Sequence, residues 1–226
     1  MLNKKEQPHY LGHRRRLKDR LQTDPRALAE YEVLELVLGY VNVRRDNKPL
    51  AKELLHRFGN LRGVLTARFE ELRGVPGFGP GAEEFLTLWR EVWARFHEQP
   101  LRAVLNSPEI VAEMGRARIG VKEHEEFWMA LVDTKNRLVG WERVSLGTVD
   151  QAAVYPREVI ATALRYNASG VILVHNHPGA DPRPSVEDVA FTRRIVAAAR
   201  EMDIRVLDHL VVTENRFFSF QAEGMI

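Results

Sequence analysis

Apolar residues recur three or four positions apart along the first hundred residues, which is the spacing of helices that bury one face. Short breaks divide this pattern into separate segments. The predicted helices cover residues 9–21, 28–38, 49–58, 69–73 and 82–97. The pattern therefore predicts a small all-helical domain over residues 1–100.

After residue 100 the pattern changes to short apolar runs that alternate with helix-like segments. Ser107 and Pro108 favour the start of a helix that runs to about residue 118. Further helices are predicted over 154–167 and after Ser185, and strands over 127–132, 138–141, 170–174, 204–213 and 216–220. Strands mixed with helices predict an α/β (α+β) domain over residues 101–226.

A glycine-rich turn lies inside the helical region, between residues 72 and 86. It resembles a helix-hairpin-helix, a module in which a Gly-x-Gly turn offers backbone amides to a nucleic-acid phosphate. Glu83 and Glu84 open the second helix, where Lys or Arg would suit a phosphate better. A purely structural hairpin is therefore the alternative interpretation.

The composition narrows the class of protein and its compartment. With 45% hydrophobic and 28% charged residues among 226, the chain is typical of a globular protein long enough for two small domains. The absence of cysteine excludes disulfides and thiolate ligands and favours the cytoplasm. No stretch approaches the roughly 18 apolar residues of a membrane span, and the N-terminus lacks an apolar signal region. We therefore expect a cytoplasmic protein with no membrane partner.

Charge is distributed unevenly along the chain. Residues 1–100 carry 18 Lys and Arg against 14 Asp and Glu, whereas residues 101–226 carry 15 against 17. The strongest basic concentration comprises Lys4, Lys5, Arg14, Arg15, Arg16, Lys18 and Arg20. Such a cluster can neutralise DNA phosphates, and it can equally be the solvated face of a helix. DNA is therefore one expected partner of the N-terminal domain.

Two histidines stand one residue apart, directly after the apolar run 170–174. Side chains alternate in an extended chain, so His175 and His177 share one face while Asn176 points away. Both imidazoles can then reach a single ion. Pro178 ends the predicted strand and begins a loop with three prolines, whose stiffness lowers the entropy cost of ordering it.

A carboxylate follows this loop at a position from which it can face the histidines. Ser185 occupies the expected N-cap of the next helix, and Asp188 lies three residues further, in the first helical turn. Two imidazoles and one carboxylate are three protein ligands, and a catalytic Zn²⁺ site keeps its fourth position for water. The sequence therefore predicts a zinc site built from His175, His177 and Asp188.

These residues allow two other interpretations. Ser185 and Asp188 also resemble a capping box, and the helix dipole stabilises an Asp in the first turn. Capping explains those two residues but not the paired histidines. The string His-Asn-His also matches the name of a nuclease family, but the flanking strand and helix do not suit that motif.

With these elements in place, the chain resembles the RadC family, whose C-terminal part is a JAB/MPN domain with a JAMM metalloprotease motif. The similarity spans nearly the whole chain. It rests on residues 31–36, 57–61, 131–136, 147–148, 156–159, 175–188 and 206–209. RadC-like loops usually begin Pro-Ser-Gly, whereas this chain has Pro178-Gly179-Ala180, with the ligand residues intact.

The resemblance implies a mixed-sheet domain and a Zn²⁺-dependent hydrolase that cleaves a peptide or isopeptide bond of a protein or peptide substrate. It also implies a glutamate base upstream of the first strand. Glu125 fits the family's Glu-x-Phe spacing before Phe127, and Glu126 is the alternative. Ser185 is expected to donate a hydrogen bond to the developing oxyanion.

Further alternatives remain open. The family's association with DNA repair and the basic N-terminal domain suggest a metal-dependent nuclease or DNA-processing factor. A non-catalytic DNA-binding scaffold is a third possibility, although the full ligand set argues against it. Asp208 and His209 could support the metal ligands, or they could be a satisfied polar pair within the sheet.

Overall fold

A computed structural model of the protein describes residues 9–146 and 154–226. Lys4 and Lys5 of the basic cluster, and the family motif at 147–148, lie outside the described residues. The chain divides into two compact units, Met1–Arg90 and Glu91–Ile226.

The first unit is helical, as its periodicity predicts. Its elements are α1 (His9–Thr23), a 3₁₀ turn (Pro25–Ala27), α2 (Glu30–Val41), α3 (Lys48–Phe58), α4 (Leu61–Thr66), α5 (Phe69–Arg73) and the first part of α6 (Pro80–His97). The helix α4 was not predicted, because six residues are too few to show a period. Asn60 caps it by accepting the Gly63 N–H at 2.8 Å, and Val64 carries its buried contact to the core.

Two arginines of the basic cluster hold α1 against its neighbours. The Arg14 guanidinium donates to the carbonyls of Val43 and Arg45 at 2.9 and 3.0 Å. Arg20 pairs with the buried Glu32 carboxylate at 2.8 Å, and the pKa of Glu32 is lowered because that pairing and other hydrogen bonds outweigh its burial. These two side chains therefore stabilise the helical unit.

The predicted hairpin joins α5 to α6. Gly77 has φ 92°, a left-handed conformation that favours glycine. Arg73 and Glu83 form a two-point ion pair across the turn, with N···O distances of 2.8 and 2.5 Å. The ion pair gives Glu83 a structural partner within the hairpin.

The second unit begins inside α6 rather than after residue 100, where the sequence suggested a boundary. One arginine of the following helix forms ion pairs with this end of α6. Arg118 donates to Glu91 at 2.5 Å and to Glu98 at 3.1 Å. The last turns of α6 are thereby held to the second unit.

The second unit is a five-stranded mixed sheet flanked by helices, which confirms the predicted α/β (α+β) fold. Its elements are α7 (Pro108–Ile119), β1 (Glu126–Val132), β2 (Leu138–Leu146), α8 (Pro156–Arg165), β3 (Gly170–Asn176), α9 (Val186–Arg200), β4 (Arg205–Val212) and β5 (Phe217–Ser219). The strand order is β2-β1-β3-β4-β5, with β3 and β4 parallel and the other pairs antiparallel.

Alternate residues of the central strand β3 enter two separate cores. Ile172 and Val174 pack with residues of α7 on one face, whereas Val171 and Leu173 pack with residues of α8 and α9 on the other. The sheet therefore lies between helical layers. By the same alternation, the His175 side chain lies on the face of the sheet covered by α9, and the Asn176 side chain lies on the face covered by α7.

Some predicted bounds were wrong. Strand β3 continues through residue 176, beyond the predicted end at 174, because β4 pairs with it that far. Strand β2 runs to Leu146 rather than 141, and α8 is shorter than the predicted 154–167. Within the described ranges, no helix is both long and apolar enough to cross a membrane.

Candidate metal centre

Two imidazoles converge at the carboxyl end of β3. The Nε2 atoms of His175 and His177 lie 3.1 Å apart. The His175 ring is stacked on Phe127 of the neighbouring strand, with 5.9 Å between ring centroids, and is 4% exposed. The backbone N–H of His177 donates to Val212 at 3.1 Å, which extends the pairing with β4. The sheet thus holds both ligand side chains in place.

The third ligand group comes from the start of α9. Asp188 Oδ1 lies 3.3 Å from His175 Nε2, and Oδ2 lies 3.3 Å from His177 Nε2. Ser185 is the N-cap: its Oγ accepts the Asp188 N–H at 3.0 Å, and its own N–H donates to Asp188 Oδ2 at 2.8 Å. Capping is therefore compatible with a ligand role, because the capping box aims Asp188 at the histidines.

The donor atoms suit a small divalent ion. One ligand atom from each of His175, His177 and Asp188 lies within 4.8 Å of the other two. The two Nε2 atoms lie 3.1 Å apart, close to the roughly 3.3 Å edge of a tetrahedron whose ligands lie about 2.0–2.1 Å from a zinc ion, and each lies 3.3 Å from a different Asp188 oxygen. In a four-coordinate site, three protein ligands would leave one position open.

Electrostatics within the triad favour a cation. Burial by itself would raise the pKa of Asp188, but hydrogen bonds from His175 and His177 outweigh it and hold the pKa well below its usual range. The Asp188 hydrogen bond raises the pKa of His177 despite burial. Asp188 therefore stays ionised, and a positive charge between the side chains is stabilised.

A buried histidine supports the ligands from behind. The His209 ring, which is 0% exposed, places Nε2 2.9 Å from His175 Nδ1 and Nδ1 2.6 Å from Thr192 Oγ1. The Thr192 hydroxyl in turn donates to the Asp188 carbonyl at 2.6 Å. Burial, and then the nearby His175, lower the pKa of His209 well below its usual range, so this ring is neutral and can accept a hydrogen bond.

These contacts form a continuous chain from one ligand to another. When His175 Nε2 binds a metal, its Nδ1 carries the proton and donates to His209. His209 Nδ1 then donates to Thr192, which donates to the backbone of Asp188. Every hydrogen in this arrangement has one acceptor, so the chain is compatible with the His175 tautomer that presents Nε2.

The neighbouring Asp208 has a separate role. Its carboxylate accepts Ser219 Oγ at 2.6 Å and the Gln221 N–H at 2.9 Å, which joins β4 to β5 and the turn after it. Burial raises the pKa of Asp208 against the effect of these hydrogen bonds. Of the two residues, therefore, His209 contacts a ligand and Asp208 is a satisfied polar group of the sheet.

The two glutamates that could act as the base differ in their surroundings. Glu126 is buried, accepts the Trp128 indole N–H at 2.9 Å and lies 3.6 Å from Lys122 Nζ. Glu125 is exposed, and its charge contributes to the raised pKa of His177. The charge of Glu125 therefore acts on a candidate ligand, whereas Glu126 is held by Trp128 and Lys122.

Two supporting residues were missed from the sequence. Thr192 lies four residues after Asp188, on the same face of α9, so helical spacing carried a signal for it. Asn176 makes its side-chain contacts on the α7 face, with the segment that precedes β1. Those contacts join segments about fifty residues apart, and no local pattern predicts them.

The mixed sheet, its two helical layers and the triad at the end of β3 define a JAB-type α/β domain that carries a candidate metal centre. Residues 105–225 match the family described as RadC-like JAB domain. The chain belongs to the RadC family, and the resemblance drawn from its motifs is confirmed.

Relatives support this membership over nearly the full length. A UPF0758 protein of Ruegeria pomeroyi is 40% identical over 226 residues, covering 97% of this chain and 100% of that protein. A UPF0758 protein of Fusobacterium nucleatum subsp. nucleatum is 33% identical over 225 residues, covering 95% of this chain and 97% of that protein. The similarity therefore includes the helical unit as well as the JAB domain.

Proposed function

We propose that the protein is a zinc-dependent hydrolase that cleaves a peptide or isopeptide bond. The observation that carries this proposal is the convergence of His175, His177 and Asp188: the two Nε2 atoms lie 3.1 Å apart, and each lies 3.3 Å from one of the two Asp188 oxygens. The exposed carboxylate of Glu125 also supports it, because its charge contributes to the raised pKa of His177. A non-catalytic scaffold would need neither the ligand set nor the nearby acid.

The ligand residues would hold Zn²⁺ with one position open. Bound there, the ion supplies Lewis acidity that brings the pKa of a water toward about 7 and polarises a carbonyl oxygen. His175 and His177 supply neutral nitrogens, and Asp188 supplies the charge. The chain through His209 keeps the His175 ring in the tautomer that presents Nε2.

Glu125 would act as general base and acid. Its carboxylate is free of the contacts that hold Glu126, which is committed to Trp128 and Lys122. Placed beside the histidines, it can take a proton from the attacking water and return it to the leaving amine. These contacts favour Glu125 over Glu126 for this role.

Ser185 would stabilise the oxyanion. Its hydroxyl donates to Asp188 Oδ2 at 2.6 Å, and the residue is exposed beside the triad. A hydroxyl can rotate about its C–O bond, so the same hydrogen can be redirected to a substrate oxygen. We propose that this donation strengthens as negative charge develops.

The proposal is tested by offering the zinc-loaded protein three substrates: unstructured peptides, ubiquitin-like conjugates, and single-stranded or branched DNA. We expect cleavage of peptide or isopeptide bonds, lost in Asp188→Ala. The competing function is a metal-dependent nuclease, since an activated water can also attack phosphorus. DNA cleavage that disappears in Asp188→Ala while DNA binding persists would replace the hydrolase proposal with that one.

A DNA-associated role is a second proposal, and the surface of α1 favours it. Arg15, Arg16 and Lys18 are exposed on this helix, whereas Arg14 is held by backbone carbonyls. The phosphate contacts would therefore come from the exposed residues. Arg14 remains important to the stability of the unit.

We expect the double substitution Arg15→Gln and Arg16→Gln to weaken DNA binding. Each lost phosphate contact reduces the slope of log K against log salt by about 1, so the slope should flatten by about 2. Fluorescence anisotropy with a labelled duplex at several salt concentrations measures it. The matched control removes two exposed arginines of α9, Arg193 and Arg194. An unchanged slope in the α1 variant, or equal flattening in both, contradicts the proposal.

The buried histidine gives a further prediction. We expect His209→Phe to lower zinc affinity by about 10- to 100-fold, because His175 loses the partner that fixes its tautomer. The phenyl ring preserves packing, since His209 stacks on Phe220 with 4.8 Å between centroids. Competition with a chelating dye measures the affinity. Asp208→Asn is the control and should leave the affinity unchanged; equal losses in both variants would assign the effect to the sheet.

A further inference from the structure

The residue between the two histidines has a defined set of partners of its own. Asn176 is 0% exposed, and its side chain lies on the face opposite the imidazoles. Its Oδ1 accepts the Glu126 N–H at 2.8 Å. Its Nδ2 donates to the carbonyl of His124 at 3.1 Å and, at 3.4 Å, to that of Lys122.

Two of these partners lie on either side of Glu125 in the sequence. The His124 carbonyl belongs to the peptide group before Glu125, and the Glu126 N–H belongs to the peptide group after it. One buried amide therefore binds both peptide groups that flank Glu125. The backbone of Glu125, which precedes the first residue of β1, is held without any contact to its carboxylate.

We propose that Asn176 is a positioning residue that sets the location of the Glu125 carboxylate relative to His175 and His177. This inference rests on the proposed function, in which Glu125 is the base. The side chain of Asn176 extends from the same strand segment that carries both histidines. Asn176 thereby ties the backbone on both sides of Glu125 to the strand that leads into the ligands, in addition to the pairing of Phe127 with His175.

The ligands themselves do not depend on this amide. His175 and Asn176 are paired through their backbones with Val211 and Val212 of β4, and the His177 N–H donates to the Val212 carbonyl. Asp188 is aimed by the capping box of α9. Loss of the Asn176 side chain should therefore displace the base and leave the metal ligands in place.

Three variants separate positioning from general stability. Asn176→Ala removes all the side-chain hydrogen bonds. Asn176→Asp keeps an acceptor for Glu126 but loses the donor to His124, and it covers the case in which the alanine variant fails to fold. Val174→Ala is the matched control, because Val174 is buried on the same face of the same strand and packs in the apolar core there, without a polar group to hold the Glu125 backbone.

Three readouts are applied to each variant of the full chain: zinc affinity, amide exchange at Glu126 in the metal-free protein, and hydrolysis of a quenched-fluorescent pool of unstructured peptides. Hydrolysis is measured with Glu125 and again in the Glu125→Gln background. For Asn176→Ala we expect faster exchange at Glu126 and zinc affinity within about threefold of the wild type. With Glu125 present, kcat should fall about 10- to 100-fold, as expected for a catalytic group displaced by about 1 Å.

The coupling between the two residues decides the proposal. If Asn176 acts through Glu125, its loss should change hydrolysis less than about threefold in the Glu125→Gln background. The same fold-loss in both backgrounds, or a loss of zinc affinity as large as the loss of kcat, overturns it. An unchanged amide exchange rate at Glu126 in Asn176→Ala also overturns the proposal, and this measurement needs no substrate. If Glu125→Gln alone has no effect, the proposed function fails instead, which is a distinguishable result.

Discussion

Replacing His177 with alanine is expected to abolish stoichiometric zinc binding and hydrolysis together. Only His175 and Asp188 would remain, and two ligands cannot close a tetrahedral site. We expect affinity to fall by more than about 100-fold, which is the upper end of the cost of losing an outer hydrogen-bond partner. Elemental analysis of the purified protein and competition with a chelating dye measure the change.

The fold should tolerate this substitution. His177 lies just beyond the end of β3 and is partly exposed, so we expect the free energy of unfolding of the metal-free protein to change by no more than about 1 kcal/mol. His56→Ala is the matched control, because His56 is an exposed histidine of α3. Full zinc occupancy in His177→Ala would show that the triad is not the metal site, and the hydrolase proposal would then lose its basis.

Glu125→Gln should separate chemistry from metal binding. The substitution keeps the size of the side chain and removes the group that transfers the proton, so we expect kcat to fall about 10²- to 10⁴-fold with zinc still bound. Hydrolysis of the same peptide pool by protein of measured zinc content gives the comparison. A fall in kcat with little change in KM is the signature of a group that acts in the transition state.

Glu126→Gln is the natural control for this experiment. A glutamine oxygen can still accept the Trp128 indole N–H, and the lost contact with Lys122 is a pair at 3.6 Å that involves an exposed lysine. Such a pair contributes about 0–1 kcal/mol. We therefore expect near wild-type hydrolysis. A severe loss in Glu126→Gln together with activity in Glu125→Gln would move the base to the other face of β1.

Much of the candidate site could be predicted because its parts are local in sequence. Alternation along one strand placed His175 and His177 together, and the cap-to-N3 spacing placed Asp188 in the first turn of α9. Both are short-range rules that hold wherever the segments lie. The helical and α/β regions followed from hydrophobic period for the same reason.

The remainder depends on contacts between distant segments. The parallel pairing of β3 with β4 brings His209 behind His175, and it includes a register shift between Val171 and Ile172 that no sequence pattern indicates. The ion pair between Arg118 and Glu91 of α6 likewise joins residues that are far apart in sequence. These arrangements result from long-range packing, which the local pattern does not encode.

The triad combines two mechanically different supports. His175 extends from the middle strand of a five-stranded sheet and His177 directly follows it, whereas Asp188 stands in the first turn of a helix, where backbone hydrogen bonds within the helix are fewest. In the metal-free protein, we expect the Asp188 side chain to fluctuate more than the two imidazoles. A metal ion would then enter and leave by movement of the Asp188 side chain, while the two imidazoles stay in place. Substitutions at Ser185 would therefore change the rate of metal exchange without altering β3.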